Sequence, residues 1–118
     1  MIELNEVKFQ AGQPVDGYGP GFFRLGDHAH QGPLAILPGG VVPWAGLPDI
    51  DLFVAAKDSF DILLMGMGAE IAPLPAEVRH KLDAENIGVE VMGTPPACRT
   101  YNVLLAEERR VALAVLPV

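Results

Sequence analysis

Two glycine-containing segments place polar residues where a parallel sheet could bind a ligand. Residues 66–70 follow one predicted strand, and residues 93–100 follow another and lead into a predicted helix. Ligands of parallel α/β sheets bind beyond the carboxyl ends of the strands, and a helix N-terminus with Arg99 nearby favours an anion or a polar ligand. The alternative interpretation is that the glycines form tight turns and Thr94 caps the helix. The candidate ligand-binding residues are Gly66, Gly68, Glu70, Thr94, Cys98, Arg99, Thr100, Tyr101 and Asn102.

Cys98 is the single cysteine, so it cannot form a disulfide within the chain. It lies in the first turn of the predicted helix beside Arg99, and both features would lower the pKa of its thiol. A cysteine nucleophile also needs a base, and none is paired with it locally in the sequence. A small buried core residue is therefore the favoured interpretation of Cys98, and no catalytic residue is assigned.

His28 and His30 are spaced so that both imidazoles fall on one side of a strand, as in some metal sites. No further cysteine or histidine pattern completes a four-ligand set, so no metal is predicted. Gly66 and Gly68 do not form a dinucleotide fingerprint, because the third glycine position falls at Ile71. The chain also lacks the Gly-Lys-Ser/Thr of a phosphate-binding loop, and no cofactor is predicted.

The composition limits the classes of partner. The chain has 118 residues, half of them apolar, and a formal net charge of −7. This length predicts one domain, residues 1–118. The acidic balance argues against binding to nucleic acid, and apolar runs of about eight residues are too short to span a membrane. With no secretory or mitochondrial leader evident in the sequence, we expect a cytoplasmic protein that could form a homo-oligomer.

The first part of the chain is predicted to be β structure with many turns. Residues 16–21 are interpreted as a turn cluster, Gly26-Asp27 as a hairpin turn, and residues 38–40 as the end of a buried strand. Trp44 is interpreted as an anchor between surface and core, or else as part of an interface. The predicted strands are residues 7–9, 22–25, 28–31 and 33–37.

The second part is predicted to alternate helices with strands. Leu47-Pro48-Asp49 is expected to begin a short helix, residues 75–86 form the clearest helix with Gly88 as its stop, and Thr94 begins the last helix. The predicted strands cover residues 61–66, 88–92 and 111–115. The order β-β-β followed by α-β-α-β-α-β indicates an α/β (α+β mixed) domain with a mixed or parallel sheet and a β layer beside it.

Three blocks occur here in an order that resembles a known family. They are residues 16–22, Gly66-x-Gly68, and the block from Met92 to Leu104 that contains Ala97-Cys98-Arg99-Thr100-Tyr101-Asn102. Together they resemble the bacterial and archaeal domain-of-unknown-function proteins related to mitochondrial complex I assembly factor three, which share the Mth938-like fold. The family usually has threonine between the two glycines, where this chain has Met67.

The resemblance implies a compact α/β domain and, for the mitochondrial members, a role in assembling respiratory complex I. The first hypothesis is accordingly a non-enzymatic protein-interaction or assembly factor with protein partners. The second is a small-molecule or anion-binding protein, or an enzyme, that uses a cleft between loops 66–70 and 94–102. Tyr101 is expected to be buried, with its hydroxyl bonded to a polar partner.

Overall fold

Eight strands form two sheets in the computed structural model, in which residues 12–118 are described. The predicted strand at residues 7–9 lies outside this range. The elements in chain order are β1 (Gly17–Gly19), β2 (Phe22–Leu25), β3 (His28–Gln31), β4 (Leu34–Leu37), β5 (Gly40–Val42), α1 (Asp51–Ala55), a 3₁₀ turn (Lys57–Ser59), β6 (Ile62–Gly66), α2 (Ala76–Ala84), β7 (Val89–Met92), α3 (Thr94–Ala106) and β8 (Val111–Val115).

The larger sheet has five strands in the order β5-β4-β8-β6-β7. Strand β6 pairs in parallel with both β7 and β8, whereas β4 is antiparallel to β8 and to β5. The sheet is therefore mixed, as predicted. Strands β6 and β8 lie near its centre, which explains their continuous apolar sequences, because helices or strands cover both faces.

Two features of the first part differ from the sequence interpretation. Gly40 does not end a strand but begins β5, and β4 and β5 extend the larger sheet rather than forming a layer beside it. The turn predicted at residues 16–21 is confined to Pro20 and Gly21, because Gly17–Gly19 pairs with β2 as strand β1. Gly19 packs so closely on Phe22 that an added Cβ would lie 2.5 Å from the ring.

Two apolar clusters lie on opposite faces of the larger sheet. One joins α3 to the small sheet β1-β2-β3 through Phe23, Leu25 and Tyr101. The other joins α1 and α2 to the opposite face through Phe53, Val78 and Leu82. The described residues thus form one domain of mixed helices and strands, with α3 at the centre of one layer.

The helix boundaries also refine the prediction. Helix α1 begins at Asp51 rather than at Leu47, with Ile50 before it. Helix α2 ends at Ala84, and the left-handed residue that follows is Asn86, with φ of 59°, rather than Gly88. Asparagine tolerates this conformation better than most residues with a side chain, so it ends the helix without glycine.

Trp44 is an anchor, as interpreted from the sequence. It is 8% exposed, its Nε1 donates to the Asp49 carbonyl at 2.7 Å, and its ring meets Phe53 edge-on at 5.7 Å. These contacts hold the segment between β5 and α1 against the second apolar cluster. Because the ring is already buried within the chain, it offers little area to an interface.

Candidate functional site

The two predicted loops meet at the carboxyl edge of the larger sheet. Strands β6 and β7 are parallel neighbours, so the residues after Gly66 and after Met92 emerge side by side. The Met67 N–H donates to the Met92 carbonyl at 2.9 Å, and the Thr94 N–H donates to the Gly68 carbonyl at 2.7 Å. The structure therefore brings together Gly66, Gly68 and Thr94.

Thr94 bonds three parts of the chain together. Its hydroxyl donates to the Leu116 carbonyl at 2.6 Å and accepts from the Gly68 N–H at 2.9 Å. The residue is fully buried, and its two side-chain bonds leave no free polar atom. We call the Thr94 hydroxyl, the Gly68 N–H and the Leu116 carbonyl the threonine clamp. The prediction that Thr94 caps its helix is wrong, because Gly93 holds the cap position and the hydroxyl is committed elsewhere.

Gly66 lets the helix approach the sheet at the clamp. A Cβ at Gly66 would lie 2.7 Å from Val115 Cγ1 and 2.9 Å from both the Cα and the Oγ1 of Thr94. Real Cβ contacts of that length essentially never occur, so glycine is required here by close packing. Gly68 has φ of 104°, a conformation suited to glycine, and this directs its N–H into the clamp.

The amino end of α3 offers no free N–H group in its first turn. The Thr94 N–H is bonded to Gly68, and the Ala97 N–H donates to the Gly93 carbonyl at 3.1 Å. Between them, Pro95 and Pro96 have no N–H at all. The expectation of free N–H groups here is therefore wrong, because proline removes two of them and the chain itself uses the others, whereas anion binding at this end of the helix stays a prediction.

Cys98 is a packing residue. It is 3% exposed and belongs to the apolar cluster between α3 and the sheet. Burial raises the pKa of its thiol to about 11, and the nearby Arg99 guanidinium lowers it by a smaller amount. The expected lowering of the pKa is wrong because loss of solvation outweighs the neighbouring charge.

Tyr101 and Asn102 form hydrogen bonds with residues 13–15, not with the loop at residues 66–70 that the sequence places beside them. The Tyr101 hydroxyl donates to the Gln13 carbonyl at 2.8 Å. The Asn102 amide accepts from the Val15 N–H at 2.9 Å and donates to the Val15 carbonyl at 2.7 Å. Tyr101 is fully buried, as expected, and burial raises the pKa of its phenol. These side chains fasten the chain before β1 to α3, and Gln13 and Val15 had no signal in the sequence.

The remaining candidates lie at the surface beside the clamp. Glu70 and Arg99 are exposed, and Thr100 is half-buried. Met67 is half-buried against the second apolar cluster, so the position between the two glycines contributes packing. Ligand binding by the nine predicted residues stays a prediction, and Glu70 and Arg99 are the exposed members of the set.

A groove lies elsewhere, between the small sheet and β5. Its volume is about 390 Å³, and it is lined by Gln13, Leu25, His28, Ala29, His30 and Val41. We call this the side groove. The His30 Nε2 lies 2.9 Å from the Pro33 carbonyl and bonds to it. Within residues 12–118, no three histidine, cysteine or acidic side chains are placed to hold a metal ion together.

Comparison with known proteins places these features in a family. The family model described as "Protein of unknown function (DUF498/DUF598)" matches residues 15–116. An uncharacterized protein of Rhodobacter capsulatus is 46% identical over 112 residues, covering 95% of this chain and 90% of its own. The Danio rerio protein named NADH dehydrogenase [ubiquinone] 1 alpha subcomplex assembly factor 3 is 31% identical over 123 residues, covering 98% of this chain and 71% of its own.

Solved structures agree with this assignment. A crystal structure described as an outer membrane protein from Bartonella henselae has a TM-score of 0.83 at 37% identity and covers 93% of this chain and 98% of its own. A Bordetella pertussis protein described as a Mth938-like domain has a TM-score of 0.68 at 27% identity, with 89% and 85% covered. Across residues 12–118, no helix has the length and apolar character needed to cross a membrane. The chain belongs to the DUF498/DUF598 family and has the Mth938-like fold, which confirms the resemblance read from its sequence.

Proposed function

We propose that this chain is a non-enzymatic protein-interaction factor that assists the assembly of respiratory complex I. The observation that carries the proposal is its similarity to proteins named as complex I assembly factor 3. The Danio rerio factor aligns with 98% of the chain, and the human factor is 32% identical over 87% of it. The similarity therefore extends over nearly the whole domain rather than over one loop.

The geometry of the carboxyl edge supports a role in binding proteins rather than in catalysis. The threonine clamp joins the two loops through buried hydrogen bonds, and the Cys98 thiol is buried with its pKa raised to about 11, so it is protonated near neutral pH. No described residue forms a nucleophile and base pair there. An assembly factor needs complementary surface instead of such a pair.

Several large apolar side chains supply surface that a partner could cover. Tyr18, Val41, Ile71 and Val103 are between 39% and 69% exposed. They belong to different elements, so a charge placed on one of them changes one part of the surface at a time. The sequence predicts two kinds of partner, a different protein or a second copy of this chain. Either could cover these side chains.

Deleting the gene in the source organism tests the proposal directly. We expect less assembled complex I on native gels and lower NADH–quinone oxidoreductase activity in membranes, with succinate dehydrogenase unchanged. The full chain supplied in trans should restore both measurements. Unchanged complex I in the deletion strain would overturn the proposal.

Two variants sharpen this test. Cys98→Ala should restore assembly as the wild type does, because no thiol chemistry is involved. Val103→Glu alters an exposed position on α3 and should leave the unfolding midpoint unchanged, so any loss of restored assembly would locate the partner's contact. Failure of Cys98→Ala despite normal folding would favour an enzyme.

A further inference from the structure

The loop between β6 and α2 presents an isoleucine to solvent. Ile71 is 69% exposed, whereas the other exposed large apolar side chains within residues 12–118 are between 39% and 56% exposed. Ala69 and Pro73, on either side of it, are exposed as well, and we call residues 69–73 the isoleucine loop. An exposed side chain of this size contributes little to the stability of the fold, because most of its apolar area stays in water.

The threonine clamp fixes the amino-terminal end of the isoleucine loop. Gly68, the residue before Ala69, is bonded to Thr94 through both its N–H and its carbonyl, at 2.9 and 2.7 Å. The backbone of Gly93 lies against the loop, since a Cβ on Gly93 would be 3.6 Å from the Ala69 carbonyl oxygen and from the Glu70 carbonyl carbon. The loop therefore leaves the sheet in one direction and packs on the amino end of α3.

Leu74 and two prolines fix the other end of the loop. Leu74 is 8% exposed and packs in the second apolar cluster. Pro73 and Pro75 restrict their own backbone and favour an extended conformation in the residue before each of them. Pro75 then leads directly into α2. Because both ends are held, Ile71 has a defined position before any partner binds, and little conformational entropy is lost when one does.

Glu70 indicates the charge of the surface that fits this loop. Its side chain is exposed and forms no ion pair with another described residue, whereas Asp51, Asp61 and Glu85 each pair with a cation of the same chain. A carboxylate beside an apolar anchor is complementary to an apolar pocket with a lysine or arginine at its rim. The formal net charge of −7 acts in the same sense and disfavours an anionic lipid surface.

A second copy of this chain fits the loop poorly. On a two-fold axis the isoleucine loop would meet itself and bring two Glu70 carboxylates together, which like charge disfavours. The side groove could receive Ile71 of another copy only in a head-to-tail contact, and its lining includes no lysine or arginine to pair with Glu70. The charge of the loop therefore favours a different protein as the partner.

We propose that the isoleucine loop is the contact through which this chain binds a protein partner, with Ile71 in an apolar pocket and Glu70 paired with a basic side chain at the pocket rim. This inference deepens the proposed function and rests on it for the premise that the partner is a protein. It also gives the bonded carboxyl edge a role, because the threonine clamp then holds a binding loop in place.

Photo-crosslinking in the source organism tests the proposal with the full chain. A photoreactive amino acid replaces Ala69, beside the anchor, and the same replacement at Ala106, an exposed alanine on α3, is the control. We expect the probe at position 69 to crosslink one protein other than this chain, identified by mass spectrometry, and the probe at position 106 to leave that protein uncrosslinked. In the chain with the probe at 69, Ile71→Glu should reduce the product by on the order of tenfold or more. Val103→Glu, the same change at an exposed position on α3, should leave the product unchanged.

A charge series tests the rim of the pocket. Glu70→Lys should reduce the crosslinked product more than Glu70→Gln does, because it places like charge against a basic rim. The purified variants should unfold at the same urea concentration as the wild type, since the altered side chains are exposed.

The possible products separate this contact from the assembly role. Absence of a protein product from position 69, a product that persists in Ile71→Glu, or a product formed with a lipid or a second copy of the chain would overturn the proposal. A product that depends on Ile71 but contains a protein outside complex I assembly would confirm the contact and overturn the assembly role, so the two proposals fail separately.

Discussion

The carboxyl edge of the larger sheet looks like a binding site in the sequence but is closed by internal bonds, whereas the side groove has no signal in the sequence but is open. The edge is rich in residue types that bind ligands, and its buried polar groups bond one another through the threonine clamp. The groove is lined by Gln13 and by residues of β2, β3 and β5 that form no recognisable ligand-binding motif. Residue types with suggestive spacing can therefore serve internal packing, whereas an open groove can form from residues that no local motif marks.

The largest expected change in stability is at Gly66. Gly66→Ala should lower the free energy of unfolding by about 2–3 kcal/mol, because its Cβ would press on Val115 and on the Thr94 backbone, which cannot move independently. Urea unfolding measures the change. Gly88→Ala is the matched control, since its Cβ would meet nothing closer than 3.8 Å and its φ is not positive. Equal stability of the two variants would mean that the edge is not tightly packed.

A second test removes the clamp hydroxyl. Thr94→Val keeps the shape but leaves the Gly68 N–H and the Leu116 carbonyl without their partner in a buried site, at a cost of about 1–3 kcal/mol. Thr100→Val, on a half-buried position of the same helix, should change stability by no more than about 0.5 kcal/mol. Urea midpoints that coincide for the two variants would show that the clamp contributes nothing.

These two residues also show what the sequence could predict about the site. The apolar runs of β6 and β8 predict buried strands, and the sequence predicts that Gly66 and Thr94 face one cleft if the strands before them are neighbours, as β6 and β7 are. The direction of the Thr94 hydroxyl was not predictable, because its acceptor, Leu116, lies 22 residues further along the chain. Contacts of this kind depend on tertiary pairing rather than on local spacing.

Tertiary pairing also explains two places where the fold differs from the sequence prediction, strand β1 and the end of α2. Strand β1 has three residues, two of them glycine, so it lacks the apolar alternation by which strands are recognised. Backbone pairing with β2 holds these residues in an extended conformation that their own strand propensity does not favour. The sequence interpretation takes Gly88 as the stop of α2 because glycine is the commoner residue in a left-handed turn, but the left-handed residue after Ala84 is Asn86, two residues before Gly88.

The third test uses pH. The pKa of the Cys98 thiol is about 11 in the folded protein, and that of a free thiol is near 9. Between these values the unfolded chain has lost a proton that the folded chain keeps, so stability falls as pH rises. At pH 10, one unit above the pKa of a free thiol, the expected loss is about 1.4 kcal/mol, because one pKa unit corresponds to about that free energy.

Cys98→Ala provides the control for this test. Its stability between pH 9 and pH 11 should fall less steeply than that of the wild type, whatever its stability at neutral pH. Burial also raises the pKa of Tyr101, so part of the decline should persist in the variant. Parallel stability profiles for the two proteins would show that the thiol is not buried as the structure has it.

The smallest expected effect concerns Arg99, and it decides whether the carboxyl edge binds anions after all. Arg99 is exposed and adjoins a helix end whose first-turn N–H groups are absent or already bonded. Arg99→Ala should therefore change the free energy of unfolding by no more than about 0.5 kcal/mol. Inorganic phosphate should shift the Tm of wild type and variant equally at matched ionic strength, because a ligand stabilises a fold only through a site that binds it. A larger shift in the wild type would assign an anion site to Arg99 at the edge, and the contrast between the bonded edge and the accessible groove would then fail.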